Sequence, residues 1–213
     1  MDKKLLYYGG IFGPIVFLLN DIIGGIVTPN YSYIEQPISD LTQAGSTYLL
    51  GSVLLFIAAI LAFIFGIGII SHYKFKINKL IFLGGISLII IALFNSLTGT
   101  ILPQDPRNGT VITFAGTMHL ALVGIVVILT FIALIMIGIG FNRQRQWKTF
   151  RNFSLISLLI MLIFGGVLTP YIIANNIELL GFVERVVAYV FQIWSVVIAY
   201  KLITEYYEEK IKN

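Results

Sequence analysis

The chain has 213 residues, 58% of them hydrophobic and only 11% charged, with a mean hydropathy of +0.93. A water-soluble domain carries about 25% charged residues, so this composition excludes an ordinary aqueous fold and makes the bilayer the solvent. The net charge of +4 is no nucleic-acid footprint, because the basic residues sit in short clusters beside apolar runs, and the lack of cysteine excludes disulfides and thiolate metal sites.

Six apolar runs follow one another, at residues 5–28, 48–71, 80–102, 115–141, 153–174 and 182–203. Each reaches the roughly 20 residues that a helix needs to cross the hydrocarbon. Backbone groups in lipid must pair internally, so runs of this length are predicted to be helices. The first is too long for a signal-peptide core and has no small-x-small site, which predicts a retained span. It carries Asn20 and Asp21. An ionisable residue inside a span is a functional candidate by default. The structural alternative pairs Asp21 with Asn95, Ser96 or Thr98 of the third span.

The loop after this span runs from Pro29 to about residue 47 and is rich in tyrosine, which favours the headgroup level. Loops of this length are often lids or binding loops. Within it, Ser39 and Asp40 precede Leu41: they either cap a short interfacial helix or supply chemistry. The next loop carries Lys74, Lys76 and Lys79, and His72 beside them reads as solvated. After the third span, Pro103, Gln104, Asp105, Pro106, Arg107, Asn108 and Gly109 make a dense turn signal. His119 lies one turn into the fourth span, where an imidazole serves as a general base, a metal ligand or a hydrogen-bonded interface residue. Arg143, Arg145, Lys148 and Arg151 follow that span. Glu184 and Arg185 open the sixth. They point about 100° apart, and Arg185 shares a face with Tyr189, Gln192 and Ser195. This polar stripe is expected to face the bundle interior. Glu35, Glu178 and Arg107 read as loop charges. The tail with Glu205 reads as a solvated helical extension.

Twelve of the 14 Lys and Arg residues fall on one side of this threading, leaving Arg107 and Arg185 on the other. The positive-inside rule then predicts a multi-pass protein of the cell membrane with both termini cytoplasmic. The odd spans end alike, in Gly24-Gly25 before Thr28-Pro29, Gly99-Thr100 before Pro103, and Gly165-Gly166 before Thr169-Pro170. Paired small residues allow close helix approach, and the proline is expected to stop each helix. The even spans echo one another at Ala44-Gly45-Ser46-Thr47 and Ala115-Gly116-Thr117, and again at Gly66-Ile67-Gly68 and Gly138-Ile139-Gly140. Three repeated hairpins are one reading; chance likeness of Gly-rich spans is the other.

Gly13-Pro14, Pro29-x-Tyr31-Ser32, Ile38-Ser39-Asp40-Leu41, Leu102-Pro103-x-Asp105, His119 and Glu184-Arg185 run in order through almost the whole chain. In this it resembles a bacterial and archaeal membrane family called domain of unknown function 998. The resemblance implies a six-span organisation and carries no activity. A more distant likeness, resting on Ser39, Asp40 and His119, is to the seven-span zinc hydrolases related to alkaline ceramidases. This chain lacks their seventh span and paired histidines.

The sequence thus predicts an all-α, polytopic bundle of six transmembrane helices forming a single domain over residues 1–213. Two function classes stay open. In the first, a polar pocket at the extracytoplasmic end holds a lipid headgroup or small polar ligand, with Asp21, Ser39, Glu184, Arg185 and Gln192 as ligand contacts. In the second, a membrane-embedded lipid hydrolase or transferase uses His119 with Asp40 and Asp105, with or without a metal. Membrane lipids are the expected partners and nucleic acid is not. No motif names a cofactor or a metal set, and no nucleophile–base pair is identifiable by spacing.

Overall fold

The computed structural model describes residues 3–43, 48–106, 111–142 and 147–212. Arg107, Asn108, Gly109, Arg143 and Arg145, and residues 44–47 of the suspected repeat, lie outside these. The helices are α1 (Lys3–Val27), a short 3-10 helix (Ile38–Thr42), α2 (Tyr48–His72), α3 (Lys79–Thr100), α4 (Phe114–Phe141), α5 (Lys148–Met161), α6 (Thr169–Ala174) and α7 (Leu180–Lys212). α5 runs into α6 through a π-helical stretch, Leu162–Leu168, so the two make one span. Six helical segments are therefore long and apolar enough to cross a membrane, and no strand occurs among the described residues.

The spans form a ring. Each packs on the next in the chain, and α7 closes the circuit against both α5 and α1. α2 packs on α3 as extensively as on α1, so successive pairs are not set off as separate hairpins. Large side chains such as Ile26, Leu49, Ile128, Ile156 and Tyr200 are exposed around the rim, which is the expected outer surface of a bundle in lipid. Small residues set the close approaches. A Cβ on Gly9 would strike the Leu61 carbonyl of α2, and one on Gly10 would come 2.8 Å from Ala199 of α7.

Pro14 lies inside α1 without ending it. Its missing N–H leaves the Gly10 carbonyl without its helical donor. Ser195 Oγ of α7 donates to that carbonyl at 3.5 Å, a neighbouring helix supplying the bond that the proline removed. Pro170 departs from its expected role too. Thr28-Pro29 does end a helix, with Thr28 Oγ1 donating to Gly24 O at 2.7 Å. Thr169-Pro170 does not, because the helix widens to π geometry just before it and resumes with the proline in the first turn of α6. The widening carries the ring past the carbonyl four residues back, where it would clash in a regular α-helix.

Most of the large buried side chains gather at the basic end of the ring: Tyr7, Phe65, Ile69, Tyr73, Phe141, Trp147, Phe150, Trp194 and Ile198 form one cluster. Two sequence readings are corrected here. His72 is not simply solvated, since its Nδ1 hydrogen-bonds the buried Tyr7 hydroxyl at 2.8 Å. Glu205 is no bare tail charge: it accepts hydrogen bonds from Trp147 Nε1 and from the Tyr73 hydroxyl. Neither contact has a local sequence signature, as the partners come from other helices.

Candidate functional site

The opposite, acidic end is closed by the loop between α1 and α2. Glycines seat it. Side chains on Gly25 and Gly181 would collide with Tyr33 and with the Gln36 backbone, and a Cβ on Gly51 would lie 2.6 Å from Leu41 O. The start of α7 has backbone N–H groups without helical partners. Gly181 N donates to Glu35 O at 3.2 Å and Phe182 N to Ile34 O at 2.9 Å. The loop's carbonyls therefore finish the helix, and the helix orders the loop.

Arg185 completes this hold. Its Nε donates to Asp21 Oδ2 at 3.0 Å and its Nη2 to Asp21 Oδ1 at 2.7 Å. Nη2 also donates to the Tyr31 hydroxyl at 2.7 Å. Nη1 reaches the carbonyls of Tyr33, Gln36 and Gly181 at 2.6, 2.8 and 3.0 Å. The rings of Tyr31 and Tyr33 sit 5.5 and 5.0 Å from the guanidinium. A guanidinium has five N–H donors, and here all are spent within the protein. Tyr189 donates to Asp21 as well. The partners of Asp21 are thus in α7, not the third span. Ser96 and Thr98 bond carbonyls of their own helix. Burial pushes the Tyr31 phenol above its usual range despite the adjacent Arg185.

A polar belt continues from α7 around this end. Glu184 accepts from the backbone N of Ser39 at 3.1 Å and from its hydroxyl at 3.2 Å. Asp40 lies in the first turn of the 3-10 helix, whose N-cap is Pro37, and accepts from Gln104 at 3.3 Å. Asp105 takes both the backbone N and the hydroxyl of Thr113, at 2.9 and 2.6 Å. Those two bonds, the hydroxyl's foremost, hold its carboxyl below the usual range. Thr113 in turn caps α4 by accepting from Gly116 N at 3.0 Å. His119 is buried, with Nδ1 at 2.8 Å from Leu102 O. A carbonyl only accepts, so Nδ1 is the donor of this bond. The structure therefore groups Asp21 with Arg185, Ser39 with Glu184, and Asp40 with Gln104, and sets Asp105 and His119 farther along. Gln192 is partly exposed and joins none of these bonds. Among the described residues no group of three or more His, Asp or Glu is placed to hold a metal ion.

Two features escaped sequence reasoning. A groove of about 250 Å³ lies between the first turns of α2 and the last turn of α3, lined by Leu49, Ser52, Val53, Phe56 and Thr100. Ser52 Oγ, and both polar atoms of the fully buried Asn20 side chain, have no hydrogen-bond partner among the described residues. The i, i+3, i+4, i+7 spacing of Leu49, Ser52, Val53 and Phe56 shows that they share a face of α2. It gives no hint that a neighbour leaves that face open.

Residues 11–201, which include the seated loop and the whole polar belt, match the family described as Protein of unknown function (DUF998). The chain belongs to that family. No curated protein and no solved structure matches it. For this DUF998 protein, what the family settles is a membrane protein of uncharacterised activity, and the chemistry has to be argued from the arrangement above.

Proposed function

We propose that the protein binds an amphipathic lipid at the acidic end of its bundle, and that this end faces out of the cell. The observation that carries the reading is the groove between α2 and α3, where Leu49, Val53 and Phe56 suit an acyl chain. Asp21 with Arg185, and Ser39 with Glu184, act here by fixing the loop and the 3-10 helix beside the groove. Asp40 and Gln104 lie at headgroup level. Gln192 sits deeper, on the Arg185 face of α7.

Val53→Trp fills the groove with a large side chain from within. It is expected to melt near wild type in detergent and to lose most co-purified lipid. Lipid retention equal to wild type would refute the groove as a binding site. The orientation is checked separately. Single cysteines at Ser32 and Asn176 should label from outside intact cells, and one at Lys76 only after permeabilisation. Labelling of Lys76 from outside would reverse the topology.

The enzyme reading rests on one observation. With Nδ1 donating to Leu102 O, His119 keeps Nε2 as the ring nitrogen that would take up a proton in general-base catalysis. His119→Gln keeps a donor for Leu102 O and cannot take up a proton near neutral pH. Stability is expected to change by no more than about 1 kcal/mol. Turnover of a lipid ester and amide panel by wild type, abolished in His119→Gln, would favour the enzyme. Equal behaviour of the two proteins across the panel would remove it.

A further inference from the structure

We propose that the basic loop between α2 and α3 is a docking surface for an anionic phospholipid, whose phosphate it holds with Lys74, Lys76 and Lys79. This loop lies at the opposite end of α2 and α3 from the groove and does not depend on it. It is fixed from behind at both ends. Tyr73 is buried before it, with its hydroxyl donating to Glu205 and its ring meeting Phe141 edge-on at 5.3 Å. Asn78 is buried after it: Oδ1 accepts from Ile81 N at 3.2 Å, and Nδ2 donates to Gly140 O of α4 at 3.0 Å. Between these anchors the chain makes a tight turn, in which Ile77 N and Asn78 N both donate to Lys74 O, at 2.8 and 3.1 Å. The turn displays Lys74, Phe75, Lys76 and Ile77, all exposed.

Charge and apolar surface are interleaved there. Phe75 is 49% exposed and Ile77 68%. Lys74, Lys76 and Lys79 are exposed too, and among the described residues none makes an ion pair or a hydrogen bond through its ammonium. Lys79 Nζ lies over the Phe75 ring, 5.3 Å from its centroid. By contrast, Lys4 at the same end is engaged, with Nζ donating to the Tyr207 hydroxyl at 3.3 Å. α2 ends at His72 and α3 starts at Lys79, so the short loop stays within a headgroup layer about 5–7 Å deep. At that depth an apolar side chain reaches the acyl boundary, while a lysine stem lifts its ammonium to the phosphates. The first turn of α3 holds no acidic residue, which leaves the positive end of its dipole on the same side. A zwitterionic headgroup brings its own cation beside these lysines, whereas an anionic one brings the phosphate charge unopposed. A free anion would use the lysines and leave Phe75 and Ile77 in water; a lipid uses both.

The test uses the full chain in nanodiscs containing equimolar dioleoylphosphatidylcholine and dioleoylphosphatidylglycerol, which share acyl chains and differ in net headgroup charge. Lipid retained after mild detergent extraction is quantified by mass spectrometry. Wild type is expected to enrich the anionic lipid by about fivefold or more, fivefold being what one lysine contributes at an anionic surface. Replacing Lys74, Lys76 and Lys79 together by glutamine should bring the ratio close to parity, with melting in lipid-free detergent unchanged because the three side chains are exposed. Lys76→Gln alone should lower the ratio. Lys4→Gln, which removes one charge from an engaged lysine of the same end, should leave it at the wild-type value. Ile77→Ser keeps every charge and should lower the amount of anionic lipid retained several-fold. A wild type without enrichment, or a triple variant that enriches like wild type, overturns the proposal. Equal losses in Lys4→Gln and Lys76→Gln spread the preference over the whole basic end and overturn the loop as a site. Wild-type retention in Ile77→Ser leaves a surface that reads charge alone and overturns lipid docking. Val53→Trp bears on the groove only, so either reading can fail while the other stands.

Discussion

Arg185→Leu is expected to destabilise the protein by about 3–5 kcal/mol, because it strands a buried Asp21 carboxylate with Tyr189 as its remaining partner. It also frees three backbone carbonyls of the loop and α7. Asp21→Leu leaves the guanidinium its carbonyl and Tyr31 contacts, so its effect should be smaller. The double variant should lose clearly less than the sum of the two, since a buried pair replaced by apolar side chains is often close to neutral. What remains in the double variant measures the carbonyls. Arg185→Lys should fall between, since a lysine cannot fork onto the carboxylate while reaching the loop. Thermal unfolding of the four purified proteins in detergent provides the check. Additive losses would mean that Asp21 and Arg185 act independently, contrary to the geometry.

Trp147→Ala is the second large effect expected, about 3–5 kcal/mol for emptying the space of a buried indole. That ring stacks on Phe141 at 3.8 Å between centroids, meets Phe150 edge-on at 5.5 Å, and lies under Lys201 Nζ at 4.9 Å. Its Nε1 donates to Glu205. Trp147→Phe keeps most of the packing and removes the N–H, so its loss should be nearer 1 kcal/mol. Unfolding midpoints of the two variants separate packing from the hydrogen bond. Equal losses would place the contribution in the Glu205 contact.

The six helical spans were legible because lipid leaves the sequence few options. Twenty apolar residues admit a helix, whatever surrounds it. Asp21, Ser39, Asp40, Asp105, His119, Glu184 and Arg185 stand out in the sequence because hydrocarbon does not explain them, and each makes a hydrogen bond in the structure. Their partners were not legible. The structural alternative for Asp21 takes its partner from the third span on depth alone, whereas Arg185, also singled out by the sequence, lies at the same depth in α7. The carbonyls of residues 33–36 were invisible in principle, as any residue there supplies the same oxygen. The π-helical stretch was hidden for a related reason. Gly165-Gly166-x-x-Thr169-Pro170 repeats Gly24-Gly25-x-x-Thr28-Pro29, and only the surroundings decide whether the helix stops or widens.

The link between α1 and α7 also bears on biosynthesis. Asp21 and the Gly10 carbonyl sit in α1, and their partners Arg185 and Ser195 sit in α7, which is made five spans later. Asp21 and Arg185 are 164 positions apart. At about 5–20 residues per second, roughly ten to thirty seconds separate their synthesis. During that interval α1 resides in the bilayer, or beside the insertion machinery, with an unmatched acid and an open carbonyl. The ring cannot close until α7 has been made, and a nascent chain stalled before α7 carries both defects exposed to any quality-control protease in the membrane.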